Sequence, residues 1–338
     1  MGLAERLPRL WYRRGLAPAL LPLVPLSCLF GLLTSLRRAA YRTGLLRSER
    51  VSAPVIVIGN LIAGGAGKTP LTLWLVDALK QRGKRPGIIS RGYGADVQSP
   101  RLVSLSDTAA DCGDEPLLLA QRTGVPVMVC RDRVKAAHAL LAQHPECDVI
   151  VADDGLQHYR LARAVELAVF DGRGAGNGWL LPAGPLREPI RRLATVDAIV
   201  LNMAEAPADV PKDLPRFAMR LQGDRFKSLT EASQSCSAEA LAGKPLHAYA
   251  GIGDPKRFFR HLEALGLSFT AHPFPDHHHF SSEDFLPAKD GVVLLTEKDA
   301  VKCAGLFQGE AWVLPVSADI EPGLIETILE KLNGRKAA

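Results

Sequence analysis

Paired cysteines, abundant aromatics, repeats and a strong charge of either sign are all missing from this sequence. Six cysteines (Cys28, Cys112, Cys130, Cys147, Cys236, Cys303) are scattered with no CxxC pair and no Cys/His spacing suited to zinc. That argues against a disulfide framework or a structural zinc site, and for reduced, mostly buried thiols in a cytosolic compartment. Aromatics make up 6% of the chain and the formal charge is only +5 over 338 residues. The arginines gather near the N-terminus without aromatic interleaving, which speaks against a nucleic-acid partner. No internal repeat or low-complexity tract breaks the sequence, and no obligate protein partner is evident. What is present, 47% hydrophobic and 23% charged residues, suffices for a sizeable core in one large or two moderate domains.

Ala17 to Leu36 is an uncharged apolar stretch, with Arg6, Arg9, Arg13 and Arg14 before it and Arg37, Arg38, Arg42 and Arg47 after it. Its twenty residues could span a bilayer, but Pro18, Pro22 and Pro25 interrupt the first half and arginines on both flanks give no orientation. An interfacial anchor fits better, with guanidinium groups on lipid phosphates. A true span and a helix packed on a soluble domain remain the alternatives. A cleaved signal peptide is disfavoured by the arginine-rich lead and the missing A-x-A site.

After Pro54, short apolar runs alternate with helical patterns, the signature of a parallel sheet covered on both faces. The runs are Val55 to Ile58, Gly87 to Ser90, Val125 to Cys130, Val149 to Ala152, Leu167 to Phe170 and Ala198 to Leu201. The expected class is α/β, a P-loop-type doubly wound sheet with a second, smaller α/β lobe and an N-terminal membrane-associated helix. The expected boundaries are 1–48 for the apolar segment, 49–205 for the core, 206–243 for a proline-interrupted linker (Pro207, Pro211, Pro215) and 244–338 for the lobe. In that lobe, strand Leu246 to Ala250, helix Pro255 to Leu265 and strands Gly291 to Thr296 and Trp312 to Val316 are expected.

The strand Val55–Ile58 leads into Ile62-Ala63-Gly64-Gly65-Ala66-Gly67-Lys68-Thr69, and a helix from Leu71 to Gln81 should follow. Glycines let backbone N–H groups crowd a phosphate, Lys68 reaches the β and γ phosphates of ATP, and Thr69 offers its hydroxyl to Mg²⁺. The form is similar to the GGxGKT loop of the deviant Walker family, whose dimeric ATPases carry a signature lysine where this chain has Ala63. A membrane-associated nucleotide-dependent switch ATPase is therefore the competing reading. Asp148 to Gly155 is an apolar strand ending in Asp153-Asp154, at the edge where a parallel sheet presents ligands. One of these carboxylates, Asp153 by preference, would hold Mg²⁺.

Further stretches then accumulate in order: Ser90-Arg91-Gly92-Tyr93-Gly94, Gly113-Asp114-Glu115-Pro116, Asp153-Asp154-Gly155-Leu156-Gln157-His158, Gly176-Asn177-Gly178, Leu181 to Glu188 (LPAGPLRE) and Thr296 to Lys302 (TEKDAVK). Together with the loop they closely resemble the tetraacyldisaccharide 4'-kinase family, the lipid A 4'-kinases of Gram-negative bacteria, over nearly the whole chain. The resemblance implies transfer of the γ-phosphate of ATP to the 4'-hydroxyl of tetraacyldisaccharide 1-phosphate, forming lipid IVA in lipopolysaccharide synthesis. It also implies an enzyme on the cytoplasmic face of the bacterial inner membrane, where that lipid lies.

By the same resemblance Asp114 is the expected catalytic base, and His277 in Phe274-Pro275-Asp276-His277 its partner. For the run His277-His278-His279 a metal site and a solvated loop remain rival readings, although adjacent side chains of an extended chain alternate in direction. Arg187 would offset charge on the transferring phosphoryl group and Glu188 would join Thr69 and Asp153 at Mg²⁺. Arg91, Tyr93, Asp154, Gln157 and His158 are expected to contact substrate. The Thr296–Asp299 stretch has no chemical role at this level.

Overall fold

The computed structural model describes residues 7, 9–13, 15–202, 211, 213–231, 233–303 and 305–334. Arg6, Arg14 and Pro207 lie outside the described residues, as does most of 203–212 at the start of the expected linker. In chain order the strands are β1 (Val55–Gly59), β2 (Pro86–Ser90), β3 (Arg101–Leu102), β4 (Val127–Val129), β5 (Val149–Ala152), β6 (Val165–Asp171), β7 (Ala198–Asn202) and β8 (Arg216–Gln222). They continue with β9 (Arg225–Ser228), β10 (Ser235–Ser237), β11 (Leu246–Ala250), β12 (Thr270–Pro273), β13 (Val292–Thr296), β14 (Ala311–Leu314) and β15 (Ser317–Ile320). The helices used below are α1 (Val24–Arg42), α2 (Lys68–Gln81), α3 (Asp114–Thr123), α4 (Arg133–Gln143), α5 (Pro255–Ala264), α6 (Glu297–Ala300) and α7 (Gly323–Gly334).

The strands form two sheets, a nine-stranded one in the order β15-β8-β7-β6-β1-β5-β2-β4-β3 and a six-stranded one in the order β10-β9-β14-β13-β11-β12. In the larger sheet β1 pairs in parallel with β5 and β6, and only the edge strands β3 and β15 run antiparallel to their neighbours. Every residue of β1, β2, β5 and β6 is buried, as a sheet covered on both faces requires. Leucine-rich stripes of α2, α3, α4 and α7 close the core over it.

The smaller lobe shows the two-residue period of a covered sheet. Leu246, Ala248 and Ala250 of β11 join Phe258, Phe259 and Leu262 on one face, while Tyr249, Val293 and Leu295 join Phe280 and Phe285 on the other.

The observed boundaries differ from those expected. The stretch 206–243 supplies β8 to the first sheet and β9 and β10 to the second. After β14 the chain returns to the first lobe, where β15 pairs with β8 and α7 buries Leu324, Ile325 and Ile328 in its core. These strands escape sequence reading because β8 is only partly buried and its partner β15 lies about a hundred residues downstream.

The N-terminal apolar stretch folds as a 3-10 turn, Pro18–Leu23, running into α1. Prolines 18 and 22 fall in the turn and Pro25 in the first turn of α1, where a missing N–H is tolerated. The residues from Pro18 to Arg42 are long and apolar enough to cross a membrane by length and composition. Their packing inverts the usual order. Ser27 is buried and donates to the Leu180 carbonyl at 2.7 Å, and Gly31 lies against the Leu180 side chain, whereas Leu26, Leu29, Leu33 and Leu36 are all more than half exposed. Their three- and four-residue spacing gathers them on one outward stripe. A soluble helix would bury that stripe; one seated on lipid would present it.

Candidate active site

The phosphate loop joins β1 to α2, which starts at Lys68, three residues earlier than expected. Gly67 caps the helix with φ of +99°, and a Cβ there would meet the Asn202 side chain at 2.4 Å. Only glycine fits that turn. The loop carbonyls are tied by side chains that no motif identifies: Asn60 donates to Gly64 O at 3.0 Å, Asn202 to Ala66 O at 3.1 Å, and Arg173 to Gly65 O. Arg257, from the second lobe, in turn donates to Asn202. Ile62 and Ala63, expected among the nucleotide contacts, are committed elsewhere. Ile62 is fully buried and bridges to Leu186, and the Ala63 N–H donates to Pro185 O at 2.8 Å.

Beside the loop, β5 ends in the paired acids, and their environments differ. Asp153 is 1% exposed and accepts from the Thr72 hydroxyl at 3.2 Å, while the guanidinium of buried Arg133 donates to its backbone carbonyl at 3.3 Å. Burial, reinforced by the carboxylates of Glu115 and Asp154, pushes its pKa up to about 7. Asp154 faces cations instead: both its oxygens lie 3.1 Å from Arg187 Nη1, and Lys68 Nζ is 3.6 Å away. Burial opposes ionisation there too, but Lys68 and Arg187 prevail and hold it down, to about 2. Asp154 is thus the counter-ion of the loop lysine rather than an uncommitted substrate contact.

Lys68 Nζ also lies 3.4 Å from Asn60 Oδ1. Glu188 is buried; the Tyr159 hydroxyl donates to its Oε1, whereas Oε2 has no hydrogen-bond partner and lies 3.9 Å from Arg192. Thr69 lines a neighbouring cleft.

Asp114 is the first residue of α3, reached through Gly113, whose φ is +95° and whose added Cβ would strike the Tyr93 carbonyl at 2.6 Å. The glycine of GDEP therefore allows the SRGYG and GDEP turns to touch. Asp114, 5% exposed, is in hydrogen-bond contact with His277 Nδ1, which lies 3.0 and 3.2 Å from its two oxygens. Its Oδ1 also accepts from the Glu115 N–H at 2.9 Å. Burial works against its charge, yet the hydrogen bond from His277 and the nearby Lys298 and Lys302 hold the carboxyl below its ordinary value. Among the described residues, the non-glycine positions with positive φ are Asp154 (+47°) and His277 (+60°). Strain of that kind persists where surrounding structure enforces it, and both instances fall in this site.

The three consecutive histidines separate. His277 faces Asp114, His278 faces Asp284 at 3.2 Å and His279 is exposed. Among the described residues no group of three His, Cys, Asp or Glu side chains is placed to hold a metal ion by itself.

Lys68, Asp153, Asp154, Arg187, Glu188 and His277 line one cleft of about 650 Å³, which Asp114 adjoins through His277. Phe30, Thr34 and Arg37 of α1 form one wall, with Lys68, Asp153 and His277 opposite. Arg91, Gln157 and His158 also border it. Tyr93, 57% exposed, packs its ring at a tilt against His277, with ring centroids 4.5 Å apart. Gln157 is partly committed, donating to Asn60 O at 3.1 Å. Burial, with Arg133 and Arg91 nearby, drives the His158 imidazole down to about 4, so it is neutral near pH 7. The second cleft, of about 520 Å³, runs from the phosphate loop between the lobes and is walled by Leu73, Leu118, Ile252 and Phe258.

Comparison with known proteins bears directly on this geometry. A profile described as tetraacyldisaccharide-1-P 4'-kinase matches residues 19–333. A tetraacyldisaccharide 4'-kinase of Dechloromonas aromatica is 54% identical over 338 residues, covering 99% of this chain and 100% of its own, and one of Azoarcus sp. is 52% identical over 332 residues, covering 98% and 97%. Among solved structures, LpxK from Aquifex aeolicus in complex with ATP superimposes with a TM-score of 0.79 at 29% identity, covering 93% of this chain and 99% of that one. With the phosphate loop, the paired acids and the exposed apolar helix gathered at one cleft, the chain belongs to the tetraacyldisaccharide 4'-kinase family.

Proposed function

We propose that this lipid A 4'-kinase moves the γ-phosphate of ATP onto the sugar 4'-hydroxyl with Asp114 as the proton acceptor. Family membership decides for a kinase over a switch ATPase. The observation that carries the residue assignment is the Asp114–His277 pair, in which a buried, ionised carboxylate is held against His277, a residue that lines the same cleft as Lys68 and α1.

ATP would seat its β and γ phosphates on the loop and its nucleoside in the apolar cleft between the lobes. Thr69, Asp153 and Glu188 would hold Mg²⁺. The donor set fits: Asp153 has an excess of negative neighbours, Glu188 carries a buried oxygen without a partner, and magnesium commonly takes one or two carboxylates plus phosphate oxygens and water. Bound there, the ion neutralises charge on the phosphates.

A sugar hydroxyl attacks weakly until its proton has somewhere to go. Asp114 accepts that proton as the hydroxyl oxygen bonds to the γ-phosphorus and the bond to the bridging oxygen of ADP breaks. Lys68 and Arg187, both anchored on Asp154, face the departing charge. Arg91, Tyr93 and His158 border the space for the disaccharide. The leucine stripe of α1 keeps the cleft at the membrane, where a tetra-acylated acceptor resides, and we place the enzyme on the cytoplasmic face of the inner membrane, where ATP is available.

Phosphate transfer from ATP to tetraacyldisaccharide 1-phosphate in mixed micelles tests the reading. Wild type should form product, and Asp114→Ala should lose transfer while still binding nucleotide. ATP hydrolysis without lipid product would refute the kinase, and full transfer by the variant would refute the base.

A further inference from the structure

The segment Thr296–Lys302, which motif reading leaves without a role, lies against the Asp114–His277 pair. Asp299, in the middle of the segment, is fully buried, accepting from the Thr296 hydroxyl at 2.6 Å and from the Gly251 N–H at 3.0 Å, so α6 is fixed beneath the loop that carries His277. From this base Lys298 reaches three acceptors: Glu115 Oε1 at 3.0 Å, Asp276 Oδ1 at 3.2 Å and His277 Nε2 at 3.4 Å. Its ammonium has three N–H groups and no lone pair, so each contact takes one proton and none can be reversed.

The last contact has a consequence for the imidazole. A nitrogen that accepts from an ammonium must be unprotonated, so the neutral ring carries its proton on Nδ1, the atom facing Asp114. The other tautomer would set a bare Nδ1 against the carboxylate 3.0 Å away and an Nε2–H against the ammonium. Relief would require protonating Asp114, which could then no longer take the proton of a substrate hydroxyl. Asp276 does not reverse the preference, being 3.8 Å from Nε2 and already bonded to Lys298.

We propose that Lys298 is a positioning residue that fixes His277 as its Nδ1–H tautomer and so keeps Asp114 free to accept a proton. This rests on Asp114 being the base. Lys298 touches no reacting atom; it acts through His277. The groups around the pair are few and named: Asp114 faces His277, Lys298 at 4.0 Å and Lys302 at 4.0 Å; His277 faces Asp114, Asp276, Lys298 and the Tyr93 ring. Lys302 is held in turn by Asp299 at 2.8 Å. Burial works against the charge on Lys298, but Glu115, Asp114 and Asp276 outweigh it, so the ammonium persists across the working pH range.

Nitrogen-15 NMR of the histidine rings in the full chain in micelles tests this, with His277 assigned by its loss in His277→Gln. Wild type at pH 7.5 should show His277 protonated on Nδ1 alone. Lys298→Met should give mixed tautomers or imidazolium, and should move the acidic limb of the kcat/KM profile upward by about one pH unit, the scale of a lost neighbouring charge. Lys298→Arg, which keeps the charge, should leave that limb in place.

A wild-type ring protonated on Nε2 overturns the proposal, and this reading needs no variant to fold. So does a folded Lys298→Met with unchanged tautomer and unchanged limb. Failure of the base assignment has a different signature: Asp114→Asn would retain transfer while the wild-type tautomer stayed as stated.

Discussion

The donor half of the cleft comes from neighbouring strand ends of one sheet, whereas the acceptor half joins residues 163 positions apart on different lobes. Lys68 opens α2, which follows β1, and Asp153 and Asp154 directly follow β5, with the loop carbonyls tied by Asn60, Arg173 and Asn202. Asp114 and His277 meet only because the second lobe lies against the first. The difference teaches where precision resides: phosphate binding is built into the sheet, and proton acceptance is built into the contact between lobes.

Asp114→Asn attacks the acceptor half alone. Transfer should fall by about 10²–10⁴, the usual worth of a positioned base, with nucleotide affinity unchanged in a fluorescent-ATP titration. A matching loss of nucleotide affinity would mean that the two halves are not separable. Lys68→Met attacks the donor half, and kcat should drop about 10²–10³-fold as charge on the phosphoryl group goes unmet. Asp154 should also lose part of its reason to remain charged, since Lys68 is its leading cationic neighbour.

The α1 wall lies outside both halves and should affect access only. Replacing Leu29 and Leu33 with glutamate should weaken partition onto vesicles by about 10²–10⁴-fold, given roughly 1.5–3 kcal/mol for each leucine withdrawn from water. Thermal unfolding in detergent-free buffer should barely change, because both side chains are already exposed.

The smallest effect expected is a pH dependence of stability arising in the donor half. Asp153 has a folded pKa raised above its unfolded value, so the folded state holds a proton that the unfolded state releases first. Its contribution is fully present below about 4 and is lost as pH rises through about 7. Asp154 is depressed, so its contribution is present above about 4 and is lost as pH falls toward 2. Chemical denaturation of the nucleotide-free protein between pH 5 and 8 should therefore slope downward with pH. Asp153→Asn, unable to titrate, should flatten that slope.

The same contrast explains what the sequence could disclose. β1, the loop and α2 are contiguous, and an apolar run leading into glycines and Lys-Thr carries its own physical meaning. So does a buried strand ending in two acids. The second-lobe strands β11 and β13 were also legible from continuous apolar runs. By contrast, β8 and β15 are edge strands with exposed faces, and their pairing across the second lobe leaves no local period.

Arg91, Tyr93, Asp114, Arg187 and His277 were reached through family resemblance rather than chemistry, since an acid and a histidine far apart in sequence give no sign of meeting. Asn60, Arg173 and Asn202 are isolated polar residues without a motif. Their position at or just after the carboxyl ends of β1, β6 and β7 was the available signal, because that edge of a parallel sheet faces ligands. Lys298 was visible within a named stretch, but its role depends on three acceptors gathered from both lobes.

The claim that the acceptor half works as one unit across the lobes is tested most directly by a double-mutant cycle on kcat/KM for lipid phosphorylation. Its corners are wild type, Asp114→Asn, His277→Gln and the pair. If His277 acts through Asp114, the double variant should be about as slow as Asp114→Asn alone, the strong non-additivity expected of groups in one unit. Multiplicative losses, with each change costing the same whether or not the other is present, would contradict the account.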